Sequence, residues 1–136
     1  MDETPLLKPT LYRREGSATA PDHPALLGGV CACGYVFFPL QRYGCERCGS
    51  LDLQPKVLSG AGSLLASARV HLHPGKGREA PFTVGAIALD DGPIVRTLIE
   101  DGGAPPRPGD RMVTMLAPAA DPEGAPRLDL RFAPGA

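Results

Sequence analysis

The stretch Cys31-Ala-Cys-Gly-Tyr-Val-Phe-Phe-Pro-Leu-Gln-Arg-Tyr-Gly-Cys-Glu-Arg-Cys-Gly-Ser50 decides how this chain reads. Two short-spaced cysteine pairs, Cys31/Cys33 and Cys45/Cys48, stand on either side of an aromatic segment. Thiolates are soft ligands that suit tetrahedral zinc, and two such pairs bring four sulfurs to one ion. The residues between them, Tyr35 to Phe38, suit the small hairpin of a zinc ribbon. Gly34 and Gly49 follow the second cysteine of each pair, where they free the backbone to turn toward sulfur. Four protein thiolates leave no coordination position for water or substrate, so the expected ion is structural, one Zn2+ per chain, and not a Lewis acid in a reaction. Iron in the same cage is the alternative ion. The Cys31-x-Cys33 spacing is one residue shorter than the usual pair, and His23 is the substitute ligand to consider.

Working outward toward the C-terminus, the punctuation is regular. Val57–Leu58 leads through Ser59-Gly-Ala-Gly-Ser63 into the alternating run Leu64–Leu72, which reads as a strand with glycines at a bend. Phe82–Leu89 and Ile94–Glu100 flank Asp90-Asp91-Gly92-Pro93, a tight hairpin turn. Arg111–Ala117 and Arg127–Phe132 follow, separated by a Pro/Gly loop over 118–126. Five short strands without a helical period predict an all-β chain, with the ribbon followed by a small five-stranded barrel of the OB type. A sandwich is the alternative, although it usually takes about seven strands. Toward the N-terminus, four prolines interrupt residues 1–27, which read as a partly ordered arm. The expected divisions are 1–27 for the arm, 28–54 for the ribbon and 55–136 for the barrel.

Composition narrows the function. The chain has 136 residues and a net charge of −1, so no overall field steers it to nucleic acid or anionic lipid. It holds 17 Gly and 16 Pro and no Trp, so its core rests on aliphatic residues and benefits from a metal staple. Met1-Asp-Glu-Thr-Pro5 lacks the basic and apolar regions of a signal peptide, and no apolar run reaches membrane-spanning length. The chain reads as cytoplasmic, where clustered cysteines favour metal over disulfides.

No nucleophile–base set emerges from the residues. His71 and His73 share a strand face and form a possible ligand pair, but no third ligand lies near them in sequence. Ser59, Ser63 and Ser67 sit in no nucleophile-elbow context. Asp90, Asp91, Glu100 and Asp101 fall in turns, where carboxylates serve local structure. The cationic group Lys76 and Arg78, with Arg69 nearby, could hold a phosphate at a barrel rim.

The order of these features resembles the OB-fold acyl-CoA-associated proteins with a rubredoxin-like zinc ribbon. The resemblance runs over roughly residues 26–133 and rests on Leu26-Leu-Gly-Gly29, Phe37-Phe-Pro39, Cys45-Glu-Arg-Cys-Gly-Ser50, Val70-His71, Pro81-Phe82 and Asp91-Gly-Pro93. It implies a small non-catalytic companion of a thiolase-superfamily thiolase or aldolase. The ligand of such a complex is a coenzyme A thioester, and the catalytic residues belong to the partner. On this reading Arg69, Lys76 and Arg78 are candidate CoA-phosphate contacts. Tyr35, Phe37, Phe38 and Leu40 are candidate docking residues in a hetero-oligomer. The competing expectation, a zinc-ribbon and OB-fold binder of single-stranded nucleic acid, normally requires a basic groove and exposed stacking aromatics.

Overall fold

In the computed structural model, residues 4–71 and 81–135 are described. Among them there is no helix, and so none long and apolar enough to cross a membrane. The chain is all-β. Its strands are β1 (Tyr12–Arg13), β2 (Ala25–Cys31), β3 (Val36–Phe37), β4 (Leu53–Leu58), β5 (Ala61–Val70), β6 (Phe82–Leu89), β7 (Ile94–Ile99), β8 (Arg111–Ala120) and β9 (Pro126–Pro134).

The first four strands form one sheet with β2 at its centre, pairing antiparallel with β1, β3 and β4. The Leu-Leu-Gly-Gly segment before the cysteines is therefore a strand, and Val57–Leu58 is only the end of the six-residue β4. The last five strands close a barrel in the order β5-β6-β7-β9-β8, with β7 and β9 parallel at the closure. This is the five-stranded barrel that the strand count predicts.

Gly60 makes the joint between the two sheets. A Cβ there would stand 2.3 Å from both the Pro24 carbonyl oxygen and Thr114 Oγ1. Thr114 closes the joint, its N–H donating to the Gly60 carbonyl at 2.9 Å and its hydroxyl to the Pro24 carbonyl at 2.6 Å. One core runs across this joint. It contains Tyr12, Leu26 and Leu58 from the first sheet together with Leu64, Ile87, Leu89, Met112 and Phe132 from the barrel.

Three differences from the sequence reading have physical causes. A bulge between Leu64 and Ala66 inserts Leu65 into β5. An extra residue reverses the facing of everything after it, so Leu64 points into the barrel while Ala66 and Ala68 face outward. Strands β8 and β9 run further into the expected 118–126 loop than Pro118 suggests. Beyond Val113 the strand β8 pairs only with β9, so the proline lies where its missing N–H faces an open edge. The N-terminal residues pack instead of trailing. Leu6 bridges to Leu128, the Leu7 N–H donates to the Leu128 carbonyl at 2.8 Å, and Tyr12 is buried. Leu6, Leu11 and Tyr12 find their cover on the main core, as the apolar side chains of a short segment must to offset its ordering entropy.

Candidate metal centre

Cys31 ends β2, and its N–H donates to the Tyr35 carbonyl at 2.9 Å across a tight turn closed by the Gly34 N–H on the Cys31 carbonyl at 2.8 Å. Gly34 sits at φ 95°, the left-handed residue that completes the three-residue turn Ala32-Cys33-Gly34 between Cys31 and Tyr35. The second turn is tied by Cys45 N–H to the Ser50 carbonyl at 2.9 Å and Gly49 N–H to the Cys45 carbonyl at 2.8 Å, with Gly49 at φ 78°. The glycine N–H groups thus meet carbonyls. At Cys45 the N–H groups that reach sulfur are those of Arg47 and Cys48, at 3.3 and 3.4 Å from Sγ.

The two turns bring all four Sγ atoms within 4.8 Å of one another, and none of the cysteines is in a disulfide. The Cys31–Cys48 sulfurs are 3.5 Å apart and the Cys33–Cys45 sulfurs 3.8 Å. A tetrahedron with Zn–S near 2.3 Å has sulfurs about 3.8 Å apart, so the cage fits one zinc ion. The short first spacing keeps Cys33 in the group. His23 lies outside it, in a turn whose N–H donates to the Ala20 carbonyl. As free thiols Cys31 and Cys45 differ sharply. The Cys33 backbone favours a Cys31 thiolate, yet burial and the neighbouring thiols prevail and push Cys31 up to about 12. Burial opposes charge on Cys45, but the Cys48 and Arg47 N–H groups and the thiols of Cys31 and Cys48 bring it down to about 6. Loading a metal requires all four as thiolates and releases their protons.

Behind the cage, Phe37 is 5% exposed and packs with Cys31, Cys45 and Leu53, with Tyr35 and Leu40 against them. Phe38 turns the other way, onto the main core. Tyr35 stacks on Phe37 at 6.2 Å between centroids. Of the four residues expected at a docking surface, then, Phe37 is interior. Tyr35 and Phe38 line a groove of about 340 Å3 with Pro93 and Ile94 of the barrel hairpin. The most exposed apolar side chains on this module are two that sequence reasoning passed over, Tyr43 at 92% and Leu51 at 74%. Their only sequence signal is a large apolar residue in a polar turn.

Beside the end of β7 lies a cleft of about 510 Å3. Arg69 lies on its wall, its guanidinium 3.5 Å from Asp101. Asp101, whose side chain is 9% exposed, also accepts the Thr83 hydroxyl at 2.6 Å and the Gly103 N–H at 2.8 Å. The Thr83 hydroxyl above all, with the Gly103 N–H and the Arg69 charge, holds the Asp101 carboxyl below the usual range. Arg131 pairs with Glu100 in the same wall. Carboxylates there outnumber arginines, with Glu100, Asp101, Asp121 and Asp129 against Arg69 and Arg131. Lys76, Arg78 and His73 fall outside the described residues, and His71 is exposed just past β5.

No family model matches the chain, and no curated protein matches it in sequence. Among solved structures it is similar to the Ltp2-ChsH2(DUF35) aldolase, with a TM-score of 0.64 and 26% identity, covering 82% of this chain and 86% of that one. The resemblance read from the sequence is borne out. The match extends over most of both chains, and it supports an accessory role in an aldolase system.

Proposed function

We propose that this chain is a non-catalytic subunit that binds a thiolase-superfamily partner and helps complete or shield its acyl-CoA site for C–C bond cleavage, by thiolysis or retro-aldol reaction. The observation that carries this reading is the structural match of 82% of this chain to a chain of the Ltp2-ChsH2(DUF35) aldolase.

In this role the four cysteines hold one zinc ion, which fixes the two ribbon turns and has no open position for substrate. The stacked Tyr35 and Phe37, with Phe38 and Leu40, shape the ribbon's side of the partner contact, in which the buried Phe37 sets the position of Tyr35. Because Asp101 already engages Arg69, the CoA phosphates fall chiefly to Lys76 and Arg78, with Arg69 as a support that must exchange partners to take part.

The test is co-expression with a thiolase-like protein of the same organism, followed by assay of acyl-CoA cleavage. Co-purification in fixed stoichiometry, with turnover only by the pair, is the expected result. A stable, fully active partner in the absence of this chain overturns the reading.

A further inference from the structure

The outward side of the barrel at β5, β6 and β7 lacks the polar residues a solvent-facing sheet carries. Along β6 burial alternates, with Thr83, Gly85, Ile87 and Leu89 inward and Phe82, Val84, Ala86 and Ala88 outward. The register sets Ala66 and Arg96 on either side of Ala86, and Ala68 and Leu98 on either side of Val84. Directly opposed residues share a face. The outward surface is therefore Ala66, Ala68, Val84, Ala86 and Leu98 around one charge, Arg96. A sheet with one face in water normally alternates apolar inward and polar outward; β6 is apolar on both sides. Strand β5 leaves β8 after Ser63, so nothing from β8 covers Ala66 or Ala68, and both are exposed.

Arg96 differs from every other arginine on the barrel strands. Arg69 meets Asp101, Arg111 meets Asp90 at 2.6 Å, Arg127 meets Asp121 at 3.0 Å, and Arg131 meets Glu100. Arg96 has no hydrogen bond or ion pair with any described residue. It stands at the edge of a shallow groove of about 220 Å3 lined by Ala66, Ala68, Val84, Gly85 and Ala86, with Ser67 the one uncharged polar side chain. The acid that shares an adjoining cleft with it, Asp129, receives the Tyr12 hydroxyl instead, and Lys8 in that cleft adds a second positive charge.

We propose that this face docks the thiolase-like partner subunit, which lays against it an apolar segment bearing an aspartate or glutamate that pairs with Arg96. The inference rests on the proposed function for the identity of the partner, and on charge complementarity for its chemistry. The small side chains let another backbone approach closely, and a guanidinium fork gives the paired carboxylate a fixed geometry once water is excluded. Arginine in such a setting is a frequent energetic anchor of interfaces.

The test is calorimetric titration of the full chain with the purified thiolase-like subunit. Arg96→Glu should weaken binding at least about tenfold, as expected of an interfacial anchor, with Arg96→Lys intermediate. Ala86→Gln, which adds bulk without charge, should weaken it as well, and all three variants should keep the wild-type unfolding midpoint and zinc content. Wild-type binding that survives Arg96→Glu and Ala86→Gln overturns the docking face and leaves the accessory role standing. Failure of the wild-type chain to bind at all overturns the accessory role and this face's occupant with it. A wild-type homodimer that Arg96→Glu dissociates, seen by sedimentation, replaces the proposed occupant with a second copy of this chain and so overturns it.

Discussion

The Tyr12 hydroxyl lies 2.9 Å from Asp129 Oδ1 and 3.2 Å from the Leu128 carbonyl, and so ties the N-terminal strand to the last strand of the barrel. The Lys8 N–H donates back to the same oxygen at 3.1 Å. Tyr12 is 4% exposed, so this is a buried joint with every member partnered. Replacing Tyr12 by Phe keeps the ring and deletes the donor, leaving the Lys8 N–H without its acceptor. The expected loss is about 1–3 kcal/mol of unfolding free energy, read as a lower urea midpoint at unchanged slope. An unchanged midpoint would show that the bonds of the Tyr12 hydroxyl contribute nothing net to the fold.

The same joint sets an alkaline limit. Burial, reinforced by the hydrogen bond to Asp129, pushes the Tyr12 phenol up to about 12 from its ordinary value of 10.0. The folded state therefore holds the proton more tightly than the unfolded one. This contribution is fully present below pH 10 and is lost as pH rises through about 12. Wild-type stability should fall over that window more steeply than that of the Tyr12→Phe variant. Parallel curves in an alkaline unfolding series would contradict the assignment.

Substituting Cys45 by Ser should release the metal and unfold the ribbon turns, because Cys45 is buried and carries the two N–H···S contacts of its turn. Structural zinc in small modules contributes apparent folding free energy of order 10 kcal/mol, so chelation should likewise lower the melting temperature of the wild-type chain. Elemental analysis decides the ligand set. One equivalent of zinc retained by the Cys45 variant would refute it.

The metal cluster was legible in sequence because short-spaced thiols constrain geometry locally. The barrel was legible because its strands are short, alternate regularly and are punctuated by turns such as Asp90-Asp91-Gly92-Pro93, where Gly92 does adopt a positive φ. What could not be read depends on contacts distant along the chain. The bulge at Leu65 reverses the facing of Ala66 and Ala68 with no residue to announce it, since β5 follows the twist of β6 and not its own periodicity. Tyr12 looked like part of a loose arm because its partners, Leu128 and Asp129, lie over a hundred residues away. Asp101 looked like a turn residue because Thr83 and Arg69 reach it only once β5, β6 and β7 are side by side.

Gly60 should tolerate no side chain. The nearest atoms to an added Cβ are a backbone carbonyl and a buried threonine hydroxyl already bonded to that carbonyl, so neither can swing aside. Gly60→Ala should cost about 1–3 kcal/mol or more through backbone displacement at the joint between the two sheets. Equilibrium unfolding at wild-type stability would mean that the joint is looser than these contacts require.

Asp101 contributes to the acid limb. Its carboxylate gathers the Thr83 hydroxyl, the Gly103 N–H and the Arg69 guanidinium, and its pKa is held below the ordinary 3.8. A group whose folded pKa is depressed contributes stability above its unfolded pKa and loses it as pH falls through the folded value. Wild-type stability should therefore decline as the solution is acidified below about pH 4, with part of that slope belonging to Asp101. Asp101→Asn keeps the shape but replaces a charged acceptor by an amide, which should cost about 1–3 kcal/mol near neutral pH. The cost should shrink as pH falls, because the wild-type carboxyl then loses its own charge while the amide does not change. A difference between the two proteins that stays constant from pH 7 to pH 3 would show that the residue acts by packing alone and that its charge contributes nothing.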